Sequence, residues 1–205
     1  MSSAVRSLLA GLFLAVITSL CLVLMLEIGD HVEGPIKAHH DEKLNDMINN
    51  LLPDYVHERK DRLVCYLASD ERIGDNMPLY VAMSRNQILG YIMSYRTSRG
   101  YSNPLIFIAG FDSNFNIYKV DIHISHETPG IGDKIDRDHS DYLDSFIGKT
   151  LENTRWDVKK FGGDFDFFSG ATITSRSAVL ATRDAIEAIR QINVSTLPLC
   201  KESAR

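Results

Sequence analysis

The chain has 205 residues, enough for one ordinary domain with some structure to spare. Hydrophobic residues make up 44% and charged residues 24%, the balance of a globular protein, and 6 prolines and 13 glycines exclude collagen-like or linker-dominated classes. A formal charge of -5 argues against a nucleic-acid partner, because neutralising phosphates needs a basic face, and 3 cysteines without a C-x-x-C argue against a disulfide scaffold or zinc ribbon.

In chain order the first feature is an uncharged run from Leu8 to Leu26, LLAGLFLAVITSLCLVLML. As a helix of about 19 residues it spans roughly 28 Å, close to the hydrocarbon thickness of a bilayer. A cleaved signal peptide has a shorter apolar core ending in small residues, and LEIGDHVEG after the run offers no such site. Cys21 suggests a lipoprotein site, but Leu20 stands where a small residue is needed. The sequence therefore predicts a retained transmembrane anchor over 8–28. Arg6 precedes it, while Glu27, Asp30 and Glu33 follow, so the positive-inside rule keeps residues 1–7 in the cytoplasm and exports the rest. Cys65 and Cys200 then lie in an oxidising compartment that permits a disulfide, closing a loop of about 135 residues and contributing on the order of 4–5 kcal/mol. Two buried free thiols are the alternative.

A membrane-proximal helix is expected within 29–60, with Ile36, Leu44, Met47, Ile48, Leu51 and Leu52 on one stripe and Pro53 as its stop. His39, His40, Asp41 and Glu42 on it read as a solvated face, since adjacent residues on a helix point in different directions. The remaining domain, 61–205, opens with strand signals. LYVAM and ILGYIMSYRT flank Ser84–Gln87, and LIFIAGFD and IYKVDIHIS flank Ser113–Asn116, giving two hairpins. Val120, Ile122 and Ile124 alternate with Asp121, His123 and Ser125, a strand with one buried face. Asp138–Ile147 reads as a short helix and Trp156–Lys159 as an extended segment. Ser175–Ile192 is the strongest helix, with Ala178, Val179, Thr182, Ala185, Ile186 and Ile189 along one face. The fold class is α+β, an antiparallel sheet flanked by helices.

The chemistry-bearing stretch is Asp166 to Ser175, DFFSGATITS, where hydroxyls and a glycine lead into that helix. Free amides and the positive helix end make such a place an anion site, with Gly170 allowing close backbone approach. A hydroxyl-rich helix cap is the competing reading. The run has no Walker lysine, and no GxGxxG accompanies it.

Two segments carry a resemblance. D-x-x-S-G-A-T-x-T, matched by Asp166, Ser169, Gly170, Ala171, Thr172 and Thr174, resembles the flavinylation motif of the covalent FMN-binding domain family. His126-Glu127-Thr128-Pro129-Gly130-Ile131-Gly132-Asp133-Lys134-Ile135 resembles that family's H-E-T-P-G-L-G-D-K-I signature, departing only at Ile131. Gly100-Tyr101-Ser102, Trp156 to Asp166, Cys65-Tyr66-Leu67 and Leu197-Pro198-x-Cys200 further resemble the G-subunit family of Rnf-type (Rsx-type) electron transport complexes, which supports pairing of Cys65 with Cys200. The resemblance implies FMN bound covalently through its phosphate to Thr174. Ser169, Gly170, Ala171, Thr172, Ser175, Glu127, Thr128 and Gly130 would contact the cofactor, and Asp166 would be recognised by a flavin transferase using FAD and Mg²⁺. It also implies an electron-carrying subunit without independent catalysis, seated in a bacterial inner membrane beside other membrane subunits, with the main domain periplasmic. The C subunit of the Na⁺-translocating NADH:quinone oxidoreductase shares anchor, motif and cofactor but is typically longer. An anchored binding module without redox chemistry is the alternative of another class.

Overall fold

The structure, a computed structural model, describes residues 3–85 and 87–200, without the side chains of 3–8, 10 and 28–42. Two compact units divide at Asp46 and Met47. The first is formed by α1, a helix running Ser3–Asn50 whose last residues belong to the second unit. Leu12, Phe13, Leu14, Leu22 and Leu24 on it are exposed. Among the described residues no helix is long and apolar enough to cross a membrane, and the 8–26 run includes Leu8 and Ala10, whose side chains are outside them. The His39–Glu42 cluster and the charge signals at Arg6, Asp30 and Glu33 also fall outside the described side chains. Within 29–60, α1 continues to Asn50 and a short helix α2 follows at Asp54–Arg59.

The second unit is built on a five-stranded antiparallel meander in sequence order: β1 Arg62–Asp70, β2 Gly74–Ser84, β3 Gln87–Thr97, β4 Leu105–Asp112 and β5 Ile117–Ile124. Both expected hairpins form, with Ser84 opposite Gln87 in the first. In the second, Asp112 accepts the backbone N–H groups of Asn114 and Asn116 at 2.8 and 2.9 Å and so replaces the missing turn dipeptide. The long helix α3, Thr172–Gln191, buries Ala178, Val179, Ala185 and Ile186 in one core with Leu79, Val81, Tyr95, Phe107 and Phe111 of the sheet. Tyr95 and Thr182 share a buried 2.8 Å hydrogen bond across that interface, and burial pushes the Tyr95 phenol up. The expected helix 138–147 is reduced to a 3₁₀ segment, Tyr142–Phe146, and the extended segment at 156–159 to one bridge between Val158 and Phe165 before a 3₁₀ turn.

The other sheet face is covered by residues that follow α1. Leu51, Leu52 and Val56 are buried there with Ala82, Ile92 and Ile108. This requires Gly110: a Cβ added to it would stand 1.5 Å from the Leu51 carbonyl oxygen. The free edge of β1 is closed by the C-terminal segment, where Leu67 donates to Pro198 and Cys200 to Cys65. The Cys65–Cys200 disulfide, with Cα atoms 5.4 Å apart, locks this edge.

Two stability effects are expected. Gly110→Ala forces backbone apart and should cost about 3 kcal/mol or more in urea unfolding. Cys65→Ser should cost about 2–5 kcal/mol by opening a loop of 135 residues, and an unchanged melting temperature would count against the bridge.

Candidate functional site

Beyond β5 the chain makes a compact turn in which the Thr128 carbonyl accepts the N–H groups of Ile131 and Gly132 at 3.1 and 3.0 Å. Glu127, at the start of this turn, is turned inward and only 6% exposed. Its Oε1 accepts the backbone N–H of Ser102 at 3.1 Å, and its Oε2 accepts the hydroxyl of Thr174 at 2.9 Å. The carboxylate is wedged between two glycines. A Cβ on Gly100 would lie 2.8 Å from Oε1, and one on Gly132 would lie 2.7 Å from Oε2. One buried acid thus ties the loop before β4, the turn after β5 and the start of α3.

The hydroxyl-rich stretch is not a helix cap. α3 begins at Thr172, three residues earlier than its periodicity predicts, and the cap position is Ala171, which has no side-chain cap bond. Ser175, expected among the cofactor contacts, is fully buried. It donates to the Ala171 carbonyl at 3.0 Å and accepts from the Phe168 N–H at 3.2 Å, closing the 168–171 turn from inside. Tyr142 braces the same turn by donating to the Asp166 and Ser175 carbonyls at 3.1 and 3.2 Å. Burial pushes its phenol up, so it remains a donor. Thr174 therefore lies in the first helical turn, where backbone N–H groups have no intrahelical acceptor.

Between these segments lies a cavity of about 520 Å³. Its lining brings together six of the expected residues: Glu127, Thr128, Gly170, Ala171, Thr172 and Thr174. Tyr101, Ile131, Gly132 and Ile173 complete it. Tyr101 is 73% exposed and Ile173 also stands largely free, so the cavity has apolar walls beside a polar floor. Thr174 is 1% exposed and lies at that floor. A neighbouring cavity of about 390 Å³ shares Thr172 and Ile173 and carries Arg99, Lys160 and Arg176. Arg176 lies 4.3 Å from the Phe161 ring centre and grips Asp157 with two bonds of 2.9 and 2.8 Å. Burial opposes ionisation of Asp157, but the Arg176 and backbone bonds outweigh it and hold the carboxyl below its usual value.

Three expected residues lie off the lining: Ser169 in the exposed turn, Ser175 inside it, and Gly130 at the outer tip of the 128–132 turn with φ +74°. Asp166 stands at the surface, its side chain 76% exposed and paired with Lys159 at 2.7 Å. Tyr101, Ile131, Gly132 and Ile173 are lining residues that the sequence reading did not single out as contacts. An aromatic residue beside a glycine, in the Gly100-Tyr101-Ser102 loop, was the available signal.

Residues 100–187 match the protein family described as an FMN-binding domain, and every residue lining the cavity falls inside that stretch. The G subunit of the ion-translocating oxidoreductase complex from Shewanella oneidensis is 33% identical over 182 residues, 86% of each chain. The proteins of the same description from Shewanella baltica and Vibrio vulnificus are 32% identical over 197 residues and 34% over 157, covering 92% and 74% of this chain. The chain belongs to the family of ion-translocating oxidoreductase complex G subunits.

The wedging of Glu127 has a measurable consequence. Gly100→Ala should cost about 1–3 kcal/mol in urea unfolding, because its methyl group displaces Oε1. In a Glu127→Ala background the same change should cost under about 1 kcal/mol, since the obstructed atom is gone.

Proposed function

We propose that this chain is the electron-carrying flavoprotein subunit of an Rnf-type ion-translocating complex, holding FMN as a phosphoester on Thr174. The observation that carries the attachment is the Thr174 hydroxyl, buried at the floor of the cavity in the first turn of α3. The residues present suit the group. The cavity volume lies in the range of cofactor sites. A phosphate on Thr174 would meet the amide end of α3, and Tyr101, Ile131 and Ile173 offer apolar surface to an aromatic ring.

When bound, FMN supplies reversible electron transfer. The protein contributes position and exclusion of water. Glu127 orients the Thr174 hydroxyl before attachment, Ser175 and Tyr142 hold the 168–171 turn, and Gly170 admits the ligand against the backbone at φ +87°. Chemistry on substrates is left to other subunits of the complex.

The anchor belongs to the same reading. The 8–26 run seats the chain in a bacterial inner membrane with residues 1–7 in the cytoplasm and the FMN-binding domain in the periplasm. The Cys65–Cys200 disulfide supports that side. Attachment outside the cytoplasm needs an exported transferase that uses FAD and Mg²⁺, and exposed Asp166 at the start of the motif is available for its recognition. The partners are this transferase during maturation and the other membrane subunits thereafter.

The test is intact mass of the full chain, purified in detergent after co-expression with a flavin transferase, beside Thr174→Ala. A gain of one FMN less water is expected in the wild type and none in the variant. A folded wild-type chain without the gain, in the presence of a competent transferase, would overturn the reading. Ultraviolet fluorescence of the denatured band in a gel gives the same answer independently, because only a covalent flavin survives denaturation.

A further inference from the structure

We infer that Glu127 is the general base that takes the Thr174 proton during flavin attachment, so that the acceptor protein brings part of its own catalytic machinery; this rests on the reading of Thr174 as the attachment site. A threonine hydroxyl is a weak nucleophile at its own pKa and needs a base within hydrogen-bond reach. Glu127 Oε2 lies 2.9 Å from Thr174 Oγ.

The orientation of that hydroxyl differs from that of two others buried in the same helix, Ser175 and Thr182. Ser175 and Thr182 donate back to the carbonyls of Ala171 and Ala178, the usual resort of a helical hydroxyl. Thr174 donates to Glu127. The acid, in turn, has little freedom: Oε1 is occupied by the Ser102 N–H, and Gly100 and Gly132 close in on both oxygens. A carboxylate with one oxygen pinned and the other aimed at a buried hydroxyl is preorganised for a single proton transfer.

The step balances without redox change. Thr174 Oγ attacks the flavin-side phosphorus of FAD, delivered by the transferase. The new Oγ–P bond forms as the pyrophosphate P–O bond breaks, AMP leaves with that bond's electron pair, and the hydroxyl proton passes to Glu127 Oε2. The resulting neutral acid has a proton to donate to an oxygen of the phosphoester. A carboxylate left in the same place would stand against the phosphate's negative charge.

The experiment measures single-turnover attachment by intact mass, using the full chain in detergent, FAD and a purified transferase. Glu127→Gln keeps the shape and the Ser102 bond but is not a base. Its rate at saturating transferase should fall about 10²- to 10⁴-fold, with the half-saturating transferase concentration unchanged and partial recovery in Glu127→Asp. A saturating rate within about threefold of wild type, or a change confined to the half-saturating concentration, would overturn the inference. Failure of the wild type to gain mass, or gain by Thr174→Ala, would instead remove the attachment reading itself.

Discussion

A carboxylate taken out of water must find donors, and Glu127 finds two, from residues 25 and 47 positions away in the chain. Neither segment it joins is regular structure on its own account: one is the loop before β4, and the other is the first turn of a helix whose cap position has no side-chain bond. Their mutual placement depends on this acid. The two glycines beside it are part of the same constraint, since any larger residue would occupy the volume of its oxygens. Because the hydroxyl side of the bond belongs to Thr174, the geometry of the cavity floor and the fold around it are one problem.

The rest of the domain supplies rigidity to that point. The meander gives local connections, so each strand is positioned by its sequence neighbour, and α3 lies across the sheet on a stripe of small and branched residues. The buried Tyr95–Thr182 bond sets the helix against β3 two turns beyond Thr174. On the opposite face, Gly110 lets the chain after α1 approach the sheet at backbone contact. A sheet held on both faces moves little. The loops at one end, which build the cavity, inherit that stability.

Apolar runs made β3 and β4 legible in the sequence, since both are buried on both faces, and periodicity did the same for β5 and most of α3, each with one clearly buried face. β1 escaped it: Val64, Cys65, Tyr66 and Leu67 are all half-buried, so RLVCYLASD shows no alternation. The first part of β2 was hidden by Pro78, which pairs with Leu67 but lies just outside the β2–β3 ladder, where a missing N–H is tolerated. The start of α3 was misplaced for a different reason. Serine and threonine favour caps, but here their side chains are committed elsewhere, Ser175 to Ala171 and Thr174 to Glu127. The two site segments were each recognisable by their residues. Their pairing was not, since a contact between residues 47 apart leaves no local trace.

On the proposed reading, the electrostatics of the cavity give a reason for a covalent bond to Thr174. The chain carries a net charge of -5, and two of the three basic side chains beside the start of α3 are engaged with acids, Arg99 with Asp184 at 2.6 Å and Arg176 with Asp157, while Lys160 lies 5.9 Å from the Phe161 ring centre. The amide end of the helix contributes about 0.3–1 kcal/mol to an anionic ligand and at most about 2. Micromolar retention needs about 8 kcal/mol. A shallow apolar wall of Tyr101 and Ile173, both largely open to solvent, adds only part of the difference. On the proposed reading, a dissociable flavin in an exported domain would be lost to dilution. The ester to Thr174 removes that requirement and leaves the open wall free to stay open, which is what exchange of electrons with neighbouring subunits requires of a carrier.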